Sequence, residues 1–317
     1  MRRFTCLCCF IFYAYLSAHA QDSTKNKYSE LTEAQLKDSL KEFEKEFSDL
    51  FFPKKSYFLV GMDYLSNNVY FGRKDSVASP YITPSVGYYH KSGLHINASA
   101  SYLPVSGENR FDLFTVEAGY GYKSQHVEFS VNAYQYFFNN DSYNVESEIK
   151  QNAILLFGYN LGFIKPVVEG IFNFGNRADY GASFALEHSF YALDYALSIT
   201  PTVTAYGSTQ NYYNSYYKLR RYSGTRIKRL IGRGYSVSAY VENASQFKIL
   251  DYEIGIPVSY IYKKFTFTFI PTYAIPQHPS VVDITFKGLL TSITISDRFR
   301  EKLSNSFFGN VGVAYKL

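Results

Sequence analysis

The sequence predicts an all-β chain: a transmembrane antiparallel β-barrel of about twelve strands, with a short N-terminal amphipathic helix ahead of it. Three observations predict it. From Tyr57 onward apolar and polar residues alternate with period two. Very short connections alternate with connections that are mostly longer. The chain also carries 32 Tyr and 28 Phe, far more than a soluble core requires but suited to two aromatic girdles at the headgroup levels of a membrane. After the N-terminal segment no stretch approaches 18 apolar residues, which excludes a transmembrane helix.

Met1-Arg2-Arg3 is followed by an apolar run from Phe4 to Leu16, and Ala18-His19-Ala20 offers small residues to a signal peptidase. This predicts a cleaved secretory signal over 1–20. A run of roughly 13 apolar residues is short of the ~20 needed for a spanning helix. Cys6, Cys8 and Cys9 all lie inside it, so the mature chain is expected to hold no thiol, disulfide or Cys-ligated metal. Removing Arg2 and Arg3 from the 32 basic residues leaves 30 against 27 acidic ones, a balance that discriminates nothing.

The segment 21–55 differs in character. Between Ser29 and Phe52 it is rich in Glu and Lys, and Leu36, Leu40, Phe43, Phe47 and Leu50 recur at spacings of four and three. One amphipathic helix is expected, capped at Ser29 or Thr32 and stopped by Pro53. Its apolar stripe has four readings: a lumen plug, a cover on the periplasmic mouth, a surface for a periplasmic partner, or plain packing against the barrel rim.

The barrel is expected over 56–317. In Leu94–Tyr102 the residues Leu94, Ile96, Ala98, Ala100 and Tyr102 oppose His95, Asn97, Ser99 and Ser101, and Phe265, Phe267 and Phe269 oppose Thr266 and Thr268. Strands are predicted near 56–66, 80–91, 93–104, 110–123, 126–138, 148–160, 163–175, 179–190, 193–206, 248–262, 265–276 and 305–317. The short connections fall at Ser92-Gly93, Ser124-Gln125, Leu161-Gly162, Ala192-Leu193 and Lys263-Lys264. Short periplasmic turns and longer external loops are what an outer-membrane barrel requires. Ten or fourteen strands stay open, because 234–247 and 281–296 are able to pair above the membrane.

At the C-terminus Val311, Val313, Tyr315 and Leu317 share one face, and Gly312, Tyr315 and Leu317 resemble the signal read by the barrel assembly machinery. Gly61-Met62-Asp63-Tyr64-Leu65-Ser66, Val69-Tyr70-Phe71-Gly72-Arg73 and Pro84-Ser85-Val86-Gly87-Tyr88-Tyr89-His90-Lys91-Ser92-Gly93-Leu94 resemble the opening of uncharacterised outer-membrane barrels common in Bacteroidetes. They are more distantly similar to Gcw-type barrels of unknown function, which carry an aromatic-Arg-Gly order where this chain has Phe71-Gly72-Arg73. The resemblance covers residues 56–104 most clearly. It implies a barrel in a Gram-negative outer membrane and no catalysis, and it brings no substrate or functional residue.

Chemistry-bearing patterns are sparse. His126 and Glu128 share a strand face roughly 6.6 Å apart, and His95 and Ser99 about 13 Å apart, too far for a nucleophile and its base. No Gly-x-Ser-x-Gly, His-Glu-x-x-His or phosphate-cradling loop is present. No cofactor and no metal is expected.

Alternation points Glu117, Glu128, Glu187 and Glu253 inward, with Lys123 and Lys316 near the periplasmic end, so a polar, pore-lining set is predicted. Lys218, Arg220, Arg221, Arg226, Lys228, Arg229 and Arg233 form a basic run preceded by Tyr212, Tyr213, Tyr216 and Tyr217. Basic residues beside aromatics suit nucleic acid in a cytosolic protein. Export argues against that, and lipopolysaccharide phosphate or an anionic solute is the expected partner, against a merely solvated basic loop. The functional readings, in order, are a non-enzymatic pore or solute-uptake barrel, a structural or partner-binding barrel with a plugged lumen, and a lipid-modifying enzyme of phospholipase or deacylase type.

Overall fold

The computed structural model describes residues 55–74, 78–107, 109–142, 144–216, 235–288 and 294–317. The expected signal, the expected helix over 29–52 and the seven basic residues from Lys218 to Arg233 lie outside the described residues.

The strands are β1 (Tyr57–Leu65), β2 (Tyr81–Tyr89), β3 (Leu94–Leu103), β4 (Arg110–Lys123), β5 (Val127–Phe138), β6 (Ile149–Tyr159), β7 (Lys165–Gly175), β8 (Asp179–Glu187), β9 (Phe190–Ala192), β10 (Leu197–Ile199), β11 (Thr202–Ser208), β12 (Tyr235–Val241), β13 (Lys248–Gly255), β14 (Val258–Tyr262), β15 (Phe265–Pro276), β16 (Val281–Gly288), β17 (Thr294–Arg300) and β18 (Ser306–Lys316). A single helical turn and a half, α1 (Asn211–Tyr216), sits between β11 and β12.

Strands β1 to β8 pair in sequence order, β8 pairs β11, β11 pairs β13, β13 pairs β15, β15 pairs β18, and β18 returns to β1. The sheet is therefore a closed antiparallel barrel of twelve staves. Three of those staves are broken. Predicted strands 179–190, 193–206 and 248–262 appear as β8 with β9, β10 with β11, and β13 with β14. Pro201 and Pro257 have no N–H to give a ladder, and the pairing is carried across the breaks by His188 N donating to Pro201 O, Thr200 N to Pro257 O and Ile256 N to Pro271 O. The predicted two-residue turn at Ala192-Leu193 is corrected to Leu193–Ala196, where Leu193, Asp194 and Tyr195 all take left-handed φ values of 53°, 50° and 64°.

The wall is apolar outside. Leu94 and Ile96 are 56% and 52% exposed and Phe265, Phe267 and Phe269 are exposed, while Thr266 and Thr268 between them are half-buried. Strands of 9 to 14 residues such as β1 and β4 meet the length a tilted spanning strand needs. No described helix is long and apolar enough to cross a membrane. At the closing seam Asp63 pairs with Gly312, and a Cβ there would lie 2.3 Å from Asp63 Oδ1 and 2.5 Å from Thr268 Oγ1. Gly312 is thus set by lumen packing. Tyr315 packs on the Phe265 ring at 4.8 Å on the other face, and Leu317 N donates to Phe58 O.

The longer connections build a second structure at the opposite end of the barrel from the two ends of the ring. β12 pairs β16 and β16 pairs β17, so the anticipated pairing of 234–247 with 281–296 forms, with 281–296 divided between two strands. Val145, Ile149, Tyr212, Tyr213, Val241, Ala244, Val282 and Ile284 make one buried cluster there.

Candidate functional site

The lumen is polar by the same alternation that makes the outside apolar. Near the short-turn end four charges from successive regions of the wall meet: Lys165 Nζ lies 2.8 Å from Glu128 Oε2 and 2.9 Å from Glu187 Oε2, and Lys123 Nζ lies 3.8 Å from Glu128. Glu117 stands 3.4 Å from His95 Nε2. Lys316 Nζ sits 4.3 Å from the centre of the Tyr57 ring. The structure therefore brings Glu128, Glu187 and Lys123 together through Lys165, and sets Glu117 with His95. His126 does not join Glu128, and stacks on Tyr159 at 6.2 Å. His95 faces Glu117 and Tyr89 rather than Ser99.

Glu253 belongs elsewhere. With Glu169 and Glu187 it lines a cavity of about 220 Å³, together with the hydroxyls of Ser183, Thr202, Thr204 and Thr272. Ser183 Oγ donates to Glu169 Oε2 at 2.9 Å. The carboxyl of Glu253 stands beside that of Asp251, which is fully buried. Lys165, which lies outside the cavity wall, is the cation against Glu187.

Toward the long loops the lumen is blocked. The connection after β1 turns inward, Tyr70 N donating to Arg73 O and Arg73 N to Tyr70 O, with Asn68 N on Ser79 O closing its base. Phe71 and Gly72 have φ of 47° and 70°. A side chain at Gly72 would meet Asp251 Oδ1 at 2.7 Å and Pro276 Cβ at 2.8 Å, so glycine is required twice over, by backbone conformation and by space. Phe71 packs into a buried cluster with Ile171 and Leu250, backed by Tyr70 and Tyr206.

Arg73, 2% exposed, is the keystone. Its Nη1 donates to Phe71 O at 3.0 Å and Leu250 O at 3.3 Å, and its Nη2 to Gln277 O and His278 O, both at 3.1 Å. Glu301 Oε2 lies 3.6 Å from Nε, and Tyr213 presents its ring 5.9 Å from Cζ. Glu301 in turn accepts from Tyr213 OH and from Ser280 N. Such a buried cation tolerates burial only because carbonyls and a carboxylate replace its water.

Two more buried carboxylates hold the surroundings. Asp112 accepts from Tyr81 OH, Ser142 Oγ and Arg110 Nε. Asp179 accepts from the backbone N–H groups of Asn211 and Tyr212 and from Thr209 Oγ1, which fixes the start of α1. Glu146, in the loop before β6, is hydrogen-bonded by Asn68. Withdrawal from water pushes its carboxyl up to about 7, partly offset by that bond.

None of Arg73, Asp112, Asp179, Asp251, Glu146 and Glu301 was singled out from the sequence. The available signal was Tyr70-Phe71-Gly72-Arg73, a cation beside a glycine and two aromatics within the long connection between β1 and β2. The aromatics expected to flank the basic run are also corrected in part: Tyr212 and Tyr213 are core residues of the cap, because α1 turns them inward onto Tyr70 and Arg73.

No protein-family model and no curated protein matches the chain. Among solved structures it is similar to the KdgM porin, with 11% identity, 82% of this chain and 99% of that one covered, and a TM-score of 0.41. The NanC porin gives 10% identity, 82% and 100% coverage and a TM-score of 0.40. LpxR from Salmonella typhimurium gives 10%, 81% and 99%, and 0.39.

Proposed function

We propose that this chain is a non-enzymatic outer-membrane barrel that passes small polar solutes, with Glu117, Glu128, Glu187, Glu253 and Lys123 lining the path. The observation that carries this reading is the cavity of about 220 Å³ walled by carboxylates and hydroxyls, inside a ring whose outer surface is apolar. A wall in lipid has no need of an inward row of charges, whereas a water-filled path does. Export by residues 1–20 and a lipopolysaccharide-facing role for the basic run from Lys218 to Arg233 belong to the same proposal. Neutralising four of those seven charges is expected to weaken binding to anionic lipid vesicles.

A second reading, a plugged barrel that binds a partner, is favoured by the Arg73 tip in the mouth. No observation favours a lipid-modifying enzyme. Conductance of the refolded chain in planar bilayers separates the first two. Discrete steps whose cation preference falls in Glu187→Gln support the pore. Silence from a folded barrel, including variants in which the tip is released, ends the pore reading.

A further inference from the structure

We infer that the tip Asn67–Arg73 is a gate across the lumen, latched by the Arg73 guanidinium in a socket made by the carbonyls of Leu250, Gln277 and His278 and by Glu301. The inference rests on the pore reading for its purpose, and on geometry for its existence.

The tip differs from a permanent plug in how it is attached. Its base is hydrogen-bonded at Asn68 N to Ser79 O and Ser79 N to Asn67 Oδ1, at the outer end of β1 and β2. Beyond that base the tip crosses the lumen and is held by side chains: Asn68 Nδ2 donates to Asn144 Oδ1, Asn173 Nδ2 of β7 donates to Tyr70 OH, Phe71 packs on Ile171 of β7 and Leu250 of β13, Gly72 lies against Asp251 and Pro276, and Arg73 reaches β13 and the connection after β15. The tip therefore has a base tied by backbone hydrogen bonds and a far end held by side-chain contacts, of which Arg73 makes the most hydrogen bonds. Such a segment opens locally at far lower cost than the wall, whose strands are paired along both edges.

The socket is also incomplete. Four donor contacts leave from the two Nη atoms, but Nε has no hydrogen-bond acceptor, and Glu301 stands 3.6 Å away. A guanidinium offers five N–H groups, and a buried one left unmet penalises the closed state. Outside the socket, in water, that penalty vanishes. Glu301 meanwhile keeps Tyr213 and the Ser280 N–H when the cation departs, so the receiving side does not collapse. Beneath the tip lies the acidic cavity, which a departing tip would connect to the outside.

The test uses the full chain with Cys6→Ser, Cys8→Ser and Cys9→Ser, refolded into lipid. Ile171→Cys then supplies the sole thiol, covered by Phe71 when the tip is seated. Reaction with a small water-soluble maleimide is expected to be slow in this parent and at least about tenfold faster on adding Arg73→Ala, which removes several charge-assisted contacts at once. Glu301→Gln should give a smaller increase. Gly72→Ala should also accelerate labelling, by strain rather than charge. If Arg73→Ala does not fold, as judged by heat-modifiable migration, the Gly72 and Glu301 variants decide the matter. Equal labelling across the parent and the folded variants overturns the gate, as does rapid labelling of the parent. Faster labelling with new conductance supports gate and pore together. Faster labelling with continued silence keeps the latch and removes the pore reading.

Discussion

The barrel wall and the outer mouth are made from the same chain by opposite rules. In the wall, apolar side chains face outward, polar ones inward, and successive staves are joined mostly by short turns. In the mouth, Val241, Val282, Ile284, Tyr212 and Tyr213 are buried as in a soluble protein, and the polar groups enclosed with them include Asp112, Asp179, Glu301 and Arg73 beside neutral side chains such as Asn144 and Ser280. The difference follows from the solvent. A lipid-facing surface makes outward burial unnecessary, whereas a water-facing cap must hide its own apolar surface. Two regions so differently stabilised should also come apart separately.

The sharpest way to break that comparison is to damage each region alone. Ile284→Ala, at 1% exposed in the cap cluster, should cost the cap about 2–5 kcal/mol while leaving the barrel closed. Protease digestion should cut the cap connections at a lower denaturant concentration, and heat-modifiable migration of the barrel should be unchanged. Val116→Arg, exposed midway along β4, should do the reverse. It is expected to destabilise the barrel in a bilayer by about 2–4 kcal/mol with no change in cap proteolysis. Loss of both properties together in either variant would mean that the two regions are one cooperative unit.

The same contrast decides what the sequence could reveal. The wall was legible because each residue reports its own environment: Phe265, Thr266, Phe267 and Thr268 declare their faces by chemistry alone, whichever strands flank them. Glu128, Glu187 and Lys123 were legible as inward-facing, but Lys165, which joins them, was not, since pairing across staves needs the register. Of the mouth, only the pairing of 234–247 with 281–296 was legible. Arg73 meets acceptors 177, 204 and 205 residues away in the chain, and nothing periodic marks such a meeting. Gly72 marks that something unusual happens there but not what.

A moderate effect should come from pH, through Glu146. Its carboxyl contacts Asn68 of the tip and stands near Tyr70 of the tip, Tyr81 of β2, Tyr136 of β5 and Tyr212 of α1. The folded value is raised from 4.5 to about 7. A raised carboxyl favours the folded mouth most below the unfolded value, and that contribution is lost as pH rises through about 7. Hydrogen exchange at the Asn68 and Arg73 amides, corrected for its intrinsic pH dependence, should be slower relative to the open chain at pH 5 than at pH 8. Glu146→Gln should flatten the difference, and a flat profile in the unaltered protein would remove Glu146 from the mouth's energetics.

Lys165→Met is expected to change selectivity more than stability. The lysine bridges Glu128 and Glu187 at 2.8 and 2.9 Å, but all three side chains are about a quarter to a third exposed, where water screens much of the attraction. Stability should fall by about 1 kcal/mol or less. With the cation gone, two carboxylates are left facing the path, and the reversal potential of the conducting form should shift toward cations.

The smallest effect is expected from a second arginine, and the reason is instructive. Arg298 Nη2 lies 2.5 Å from Glu242 Oε2, closer than Arg73 lies to Glu301, yet its side chain is 63% exposed and that of Glu242 41%. Distance alone ranks the two pairs in the wrong order. At the cap surface both partners regain hydration when parted, and holding two long side chains together costs rotamer freedom. Arg298→Ala should therefore change cap stability by at most about 1 kcal/mol and leave Ile171→Cys labelling untouched. Arg73→Ala strands Glu301 and the carbonyls of Leu250, Gln277 and His278 without their buried donor, and acts on the tip that covers Ile171. A large effect from Arg298→Ala would show that the cap sheet itself presses the tip into the mouth, moving the latch from one side chain to the whole cap.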